Sequence, residues 1–221
     1  MPNRTHTPTP GPRVPAAAWA LGVVSLLMDM SSELVHSLLP LFLVTVLGAS
    51  ATALGVIEGV AEATAMIVKV FSGTISDAFR RRKPLVVASY GLAAVAKPLF
   101  ALATKVPTVF AARFLDRIGK GVRGAPRDAF IQDLTPAQVR GAAFGLRQSL
   151  DTVGAVAGPL LAALLLLVLS DNLRLALWVA VIPAVASVLV LVFGVREPPE
   201  PPANSRTRFS LGALRILPGA F

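Results

Sequence analysis

The chain has 221 residues, 54% of them hydrophobic and only 15% charged, with a mean hydropathy of +0.69. A soluble domain carries about 25% charged residues, so this chain lacks the polar surface to cover itself, and its composition implies lipid as the solvent. Cysteine is absent, which excludes disulfides and thiolate metal sites; the net charge of +9 sits in short clusters between apolar runs, which argues against a nucleic-acid partner.

Residues 1–15 are rich in Pro and Thr and read as a disordered tail. The apolar segment that follows has no A-x-A-like cleavage site at a plausible distance, so it reads as a retained helix rather than a signal peptide. A membrane span takes roughly 20 mostly apolar residues, and six can be drawn: Ala16 to Leu47, Ala53 to Phe79, Pro84 to Thr104, Pro107 to Val122, Gly141 to Leu169 and Leu173 to Val195. Lys97-Pro98, Pro159 and Pro183 mark kinks or breaks within them. After Glu197, four prolines (Pro198, Pro199, Pro201, Pro202) make a stiff linker, and Arg208 to Phe221 reads as a short amphipathic segment. The pattern predicts an all-α membrane protein, with a transmembrane domain at 16–195 and a cytoplasmic linker at 196–221.

Basic residues set the expected orientation. The tails and the second and fourth loops hold Arg80, Arg81, Arg82, Lys83, Arg123, Arg127, Arg140 and Arg196, whereas the opposite loops hold only Lys105 and Arg174. The positive-inside rule then puts both termini in the cytoplasm, in agreement with an even number of spans. A bacterial inner membrane is the expected location.

Ionisable residues at bilayer depth are costly and usually face a cavity or a partner. On the first span, Asp29, Glu33 and His36 lie within about 60° of one another, and on the second, Glu58, Glu62 and Lys69 lie within about 40°. Arg113, Arg117 and Lys120 form a basic stripe about 60° wide on the fourth, and Arg147 and Asp151 sit one turn apart on the fifth. Asp29 lies roughly 20 Å from the inner end of its span, and Arg117 roughly 15 Å from the outer end of its own. Acidic stripes on two helices and a basic one on a third can neutralise each other across a bundle. A static ion-pair network and a proton-coupling site both fit. His36 with nearby carboxylates suggests a cation or metal site, but Met28 and Met30 point to other faces than Asp29, and the other histidine, His6, is in the tail. No metal site and no cofactor is therefore expected.

Three motifs carry a family resemblance. The segment Gly73 to Lys83 resembles the loop signature G-x-L-x-D-x-x-G-R-R/K of the major facilitator superfamily: Gly73, Asp77, Arg81 and Arg82 match, and Arg80 replaces a glycine. Arg117 to Ala125 is similar to the fourth-helix pattern R-x-x-Q-G-x-G-A-A through Arg117 and Gly121, with Lys120 in place of Gln and Arg123 in place of Gly. Gly154 to Pro159 resembles the fifth-helix G-x-x-x-G-P pattern, which in that family is associated with proton antiporters that export. Gly121, Gly154, Gly158 and Pro159 also serve plain helix packing.

The resemblance implies the amino-terminal six-helix half of a 3+3 inverted-repeat fold, with a central cavity lined by the first and fourth helices. It implies proton-coupled efflux of a small solute, in partnership with a second six-helix half or a second copy of the chain. Glu33 is the expected proton-binding carboxylate, with Arg117 as its partner and Asp29 as the fallback. Uptake of a cation, a metal or another solute, and a truncated half that acts only with its partner, stay open as alternatives. An enzyme is not expected, because H-E-x-x-H and G-x-S-x-G motifs are both missing.

Overall fold

The structure, a computed structural model, describes residues 13–78 and 82–196. Residues 1–12 of the tail, Arg81 and the linker from 197 onward lie outside the described residues, as does the side chain of Asp77. Helices follow one another along the chain: α1 (Ala16–Leu41), α2 (Ala51–Ala78), α3 (Arg82–Leu102), α4 (Val106–Leu134), α5 (Arg140–Val168), α6 (Leu173–Val179) and α7 (Val181–Gly194). Together α6 and α7 form the sixth span. Its break at Ala180 lies three residues before Pro183, whose missing N–H leaves the carbonyl of Val179 without its helical donor. By contrast, Pro98, Pro126 and Pro159 sit inside continuous helices.

The first span extends beyond Pro40 through a π-helical turn, Phe42–Val46. Gly48 then takes a φ of +64°, the left-handed conformation that reverses a chain after a helix, and Ala49 N donates to Leu43 O at 2.8 Å. The tight connection to α2 follows.

Four spans among the described residues are apolar and long enough to cross a bilayer: Ala16–Val46, Arg82–Leu102, Ala137–Val168 and Leu173–Gly194. At 28 and 29 residues α2 and α4 are also long enough, but charged residues interrupt them. Four of these charges pair across the contact between the two helices, Glu58 with Arg113 and Glu62 with Arg117. The main correction concerns α4, which the sequence pattern ends near Val122. It continues to Leu134, so Arg123 and Arg127 are buried helical residues rather than loop charges.

Packing reveals the inverted repeat. Helix α1 packs on α5 as α4 packs on α2, and α1 packs on α7 as α4 packs on α3. Exchanging the first three spans with the last three therefore reproduces the same neighbours. Glycines permit the closest approaches. A Cβ at Gly121 would lie 2.9 Å from Ala65 O on α2; one at Gly158 would lie 2.8 Å from both Met30 O and Glu33 Cβ on α1; and one at Gly154 would collide with Leu26 O. Small residues allow this because, between helices in lipid, packing replaces the hydrophobic effect as the driving force. Gly73 differs: its Cβ position meets nothing within 4 Å among the described residues, so none of them requires a glycine there by close approach.

The apolar core is split in two. One cluster holds Leu34, Leu38, Phe42, Phe100, Val109 and Leu177. The other, toward the ends of the chain, holds Leu21, Val24, Met28, Tyr90, Phe130 and Leu191. Between them lies a polar waist, through which α4 passes with its charged face.

Candidate functional site

The waist is organised by α4, whose side chains at three- and four-residue spacing reach a different partner at each turn. Toward the far side from the termini, Arg113 donates from Nη2 to Glu58 Oε2 at 2.6 Å and to His36 Nδ1. The same Glu58 oxygen lies 3.7 Å from His36 Nδ1. One turn on, Asp116 accepts from Lys97 Nζ at 2.7 Å, and Lys97 also donates to Ser32 Oγ at 3.0 Å. This pair is sealed, with side-chain exposures of 0% for Lys97 and 2% for Asp116. Arg117 then pairs with Glu62 at 2.8 Å.

Nearer the termini, Arg123 donates to Asp29 Oδ1 at 2.8 Å, and its guanidinium lies 5.1 Å from the centre of the Tyr90 ring. Arg127 donates to Ser25 Oγ at 3.0 Å and lies 3.7 Å from Asp151 Oδ2. Asp151 is held more closely by Arg147, at 2.9 Å. Ser25 in turn lies 3.2 Å from the Tyr90 hydroxyl. At the rim, Arg82 at the start of α3 pairs with Asp133 at the end of α4 at 3.1 Å.

Beside this network is a cavity of about 340 Å³ between α1, α2, α4 and α5. Its polar wall includes Asp29, Glu62, Lys69, Lys120, Arg123 and Asp151. A second hollow of about 580 Å³, between the starts of α2 and α4, is lined mainly by apolar groups, among them Val56, Ile57, Val106 and Phe110.

Several expected neighbours do meet, and one does not. Asp29, Glu62 and Lys120 share the cavity; Glu58 and His36 converge on Arg113; Arg147 and Asp151 pair as their spacing suggests. The Glu33–Arg117 contact is not formed. Glu62 holds Arg117, because α2 and α4 run in parallel with Glu58 and Glu62 in register with Arg113 and Arg117. Among the described side chains on the helices, Glu33 is the only carboxylate with no ion-pair partner.

The sequence pattern reads Arg123 and Arg127 as topology charges and does not place Asp116, Lys97 or Tyr90 in the site. A signal for the arginines was present. Lys120, Arg123 and Arg127 continue the three- and four-residue spacing of Arg113 and Arg117, which a helix ended at Val122 conceals. Lys97 reads as part of a kink because Pro98 follows it, yet it is a buried cation with a dedicated acid.

A membrane-embedded bundle of two inverted three-helix repeats with a charged waist defines a narrow class of proteins. The family model described as Major Facilitator Superfamily matches residues 21–218, and the chain belongs to that superfamily as an integral membrane protein. It is 34% identical over 200 residues to an uncharacterized MFS-type transporter of Methanocaldococcus jannaschii, covering 90% of this chain and 49% of that protein. It is 28% identical over 206 residues to the multidrug resistance protein MdtH of Proteus mirabilis, covering 90% and 50%. Among solved structures, the inward-facing, unoccupied form of a bacterial homolog of the human lysosomal transporter Spinster is similar at a TM-score of 0.74 and 17% identity, covering 92% of this chain and 47% of that one. The chain thus spans about half the length of the curated relatives it matches.

Proposed function

We propose that this chain forms the amino-terminal half of a secondary active transporter that moves a small solute in exchange for protons, in the direction of export. The observation that carries the reading is the concentration of ionisable groups from four helices around one cavity at mid-bundle. Such groups are expensive in a bilayer and mark solute and proton paths. The fifth-helix pattern at Gly154 to Pro159 and the similarity to MdtH proteins, named for multidrug resistance, support export. A second six-helix half, or a second copy of the chain, completes the cavity. Both termini face the cytoplasm, across a bacterial inner membrane.

In this reading Glu33 is the proton carrier. A carrier needs a carboxyl group whose proton affinity changes as its surroundings pass from wet to dry. Every other described carboxylate on the helices would have to break an ion pair in order to take up a proton, whereas Glu33 would not. Arg117 is the movable partner, held by Glu62 in the conformation described and available to Glu33 in another. Arginine suits that role because it stays charged throughout.

The test is solute accumulation driven by a pH jump in proteoliposomes containing the complete assembly. Glu33→Gln mimics the protonated acid, and it should abolish proton-driven accumulation while permitting exchange. Arg117→Lys should be impaired, since an ammonium cannot reproduce the guanidinium fork. Accumulation against a gradient by Glu33→Gln would contradict the assignment and transfer it to Asp29, then to Glu58 or Glu62.

A further inference from the structure

The cavity beside α4 has an uneven charge balance. Its three carboxylates are all occupied: Asp29 by Arg123 at 2.8 Å, Glu62 by Arg117 at 2.8 Å and Asp151 by Arg147 at 2.9 Å. Two ammonium groups in the same wall, Lys69 of α2 and Lys120 of α4, have no ion-pair or hydrogen-bond partner for their side chains among the described residues. Among the described side chains, Glu33 is the one acid on these helices without an ion pair. Even with Glu33 ionised, the surroundings keep a surplus of one positive charge, and with Glu33 protonated they keep two. Arg123 adds a donor to this surplus, because its buried Nη1 lacks a hydrogen-bond partner among the described residues.

We infer that this cavity takes a solute carrying a negatively charged group, a carboxylate or a phosphate, held between the ammonium groups of Lys69 and Lys120. The inference rests on the transporter reading above and names its substrate class. A cationic solute would meet two like charges while every cavity carboxylate was already bound to an arginine. A neutral solute would gain nothing from the surplus positive charge of this wall, whereas the exposed ammonium groups of Lys69 and Lys120 attract an anion into the cleft. The lysines also differ from their neighbours in freedom. Arg123 is fixed by Asp29 and Tyr90, and Arg127 by Ser25 and Asp151. A lysine carries a compact charge on a flexible stem that can follow a ligand during a conformational change.

The experiment uses the assembly purified from membranes by a tag on this chain, with whatever second half accompanies it, in lipid nanodiscs. Equilibrium binding is measured for three radiolabelled probes: succinate, glycerol 3-phosphate and the tetraphenylphosphonium cation. At least one anion should bind in preference to the cation, and which one does so separates a carboxylate site from a phosphate site. Lys69→Gln and Lys120→Gln should each weaken that binding about tenfold, the worth of one charge-assisted hydrogen bond. Lys105→Gln, on an outer connection, should leave it unchanged and serves as the control for folding. Preferred binding of tetraphenylphosphonium, no binding of either anion, or anion binding indifferent to both lysines would overturn the inference. The proton-coupling reading fails separately, through the pH-jump assay, because binding here is measured without any gradient.

Discussion

Removing the carboxylate of Asp116 should be among the most destabilising single changes in this protein, and removing its partner as well should restore most of the loss. Lys97 Nζ has two hydrogen-bond acceptors, Asp116 Oδ1 at 2.7 Å and Ser32 Oγ at 3.0 Å. With both charged side chains closed off from solvent, Asp116→Ala leaves an ammonium facing a single hydroxyl between two apolar clusters. Breaking a buried pair from one side costs about 3–5 kcal/mol, whereas replacing both members by apolar groups of similar volume is often neutral or stabilising. Arg113 is a minor complication, since its Nη1 lies 4.0 Å from Asp116 while Glu58 holds its other terminal nitrogen at 2.6 Å. Unfolding by sodium dodecyl sulfate in bicelles, followed by the fluorescence of Trp19 and Trp178, gives the three free energies needed. The expected pattern is a loss of about 3–5 kcal/mol for Asp116→Ala and a near wild-type value for Lys97→Met with Asp116→Leu. If the double variant were as unstable as the single one, the pair would not be compensating a buried charge, and the reasoning would fail.

Other consequences follow from the same geometry. Gly158→Leu should separate α1 from α5 and abolish folded protein in a size-exclusion assay, because even a Cβ there would lie 2.8 Å from Met30 O; Gly73→Ala, with nothing within 4 Å, should elute as wild type. Asp77→Asn and Asp133→Asn should both loosen the terminal side of the bundle and shift the assembly toward inward-open states, with less than about 1 kcal/mol lost from the partly exposed Arg82–Asp133 pair; spin-label distances across that side would measure the shift, and an unchanged distribution would reduce this cluster to a topological signal. Since the chain has no cysteine, single substitutions at Ser50, Lys105 and Asp171 should react with an impermeant maleimide from outside the cell. Labelling of Ser205→Cys from outside would contradict the proposed orientation.

Much of this bundle is legible because lipid imposes a simple rule: apolar runs of sufficient length become spans. The fifth and sixth spans follow from hydropathy alone. The charged helices α2 and α4 are harder to delimit, because the charges that make them functional candidates also lower their hydropathy. Arg123 and Arg127 illustrate the difficulty. A basic residue near a span end signals topology in sequence, yet here each is buried against an acid or hydroxyl of α1. Partner choice is likewise invisible in one dimension. The periodicity of α1 places Glu33 on the same stripe as Asp29, but only the parallel register of α2 and α4 gives Arg117 to Glu62. The Lys97–Asp116 pair joins helices through residues 19 apart in sequence, a separation without helical or strand periodicity to reveal it.

If the proposed exchange holds, solute movement through this charged waist is obligatorily linked to proton movement. The most direct measurement is the luminal pH of proteoliposomes containing the complete assembly, with pyranine trapped inside, as solute is added to one side without any imposed pH gradient. A transported solute should drive protons the opposite way, the signal should collapse with a protonophore, and Glu33→Gln should abolish it while solute exchange persists. Solute flux in the wild-type assembly with no accompanying change in luminal pH would contradict the proposed exchange.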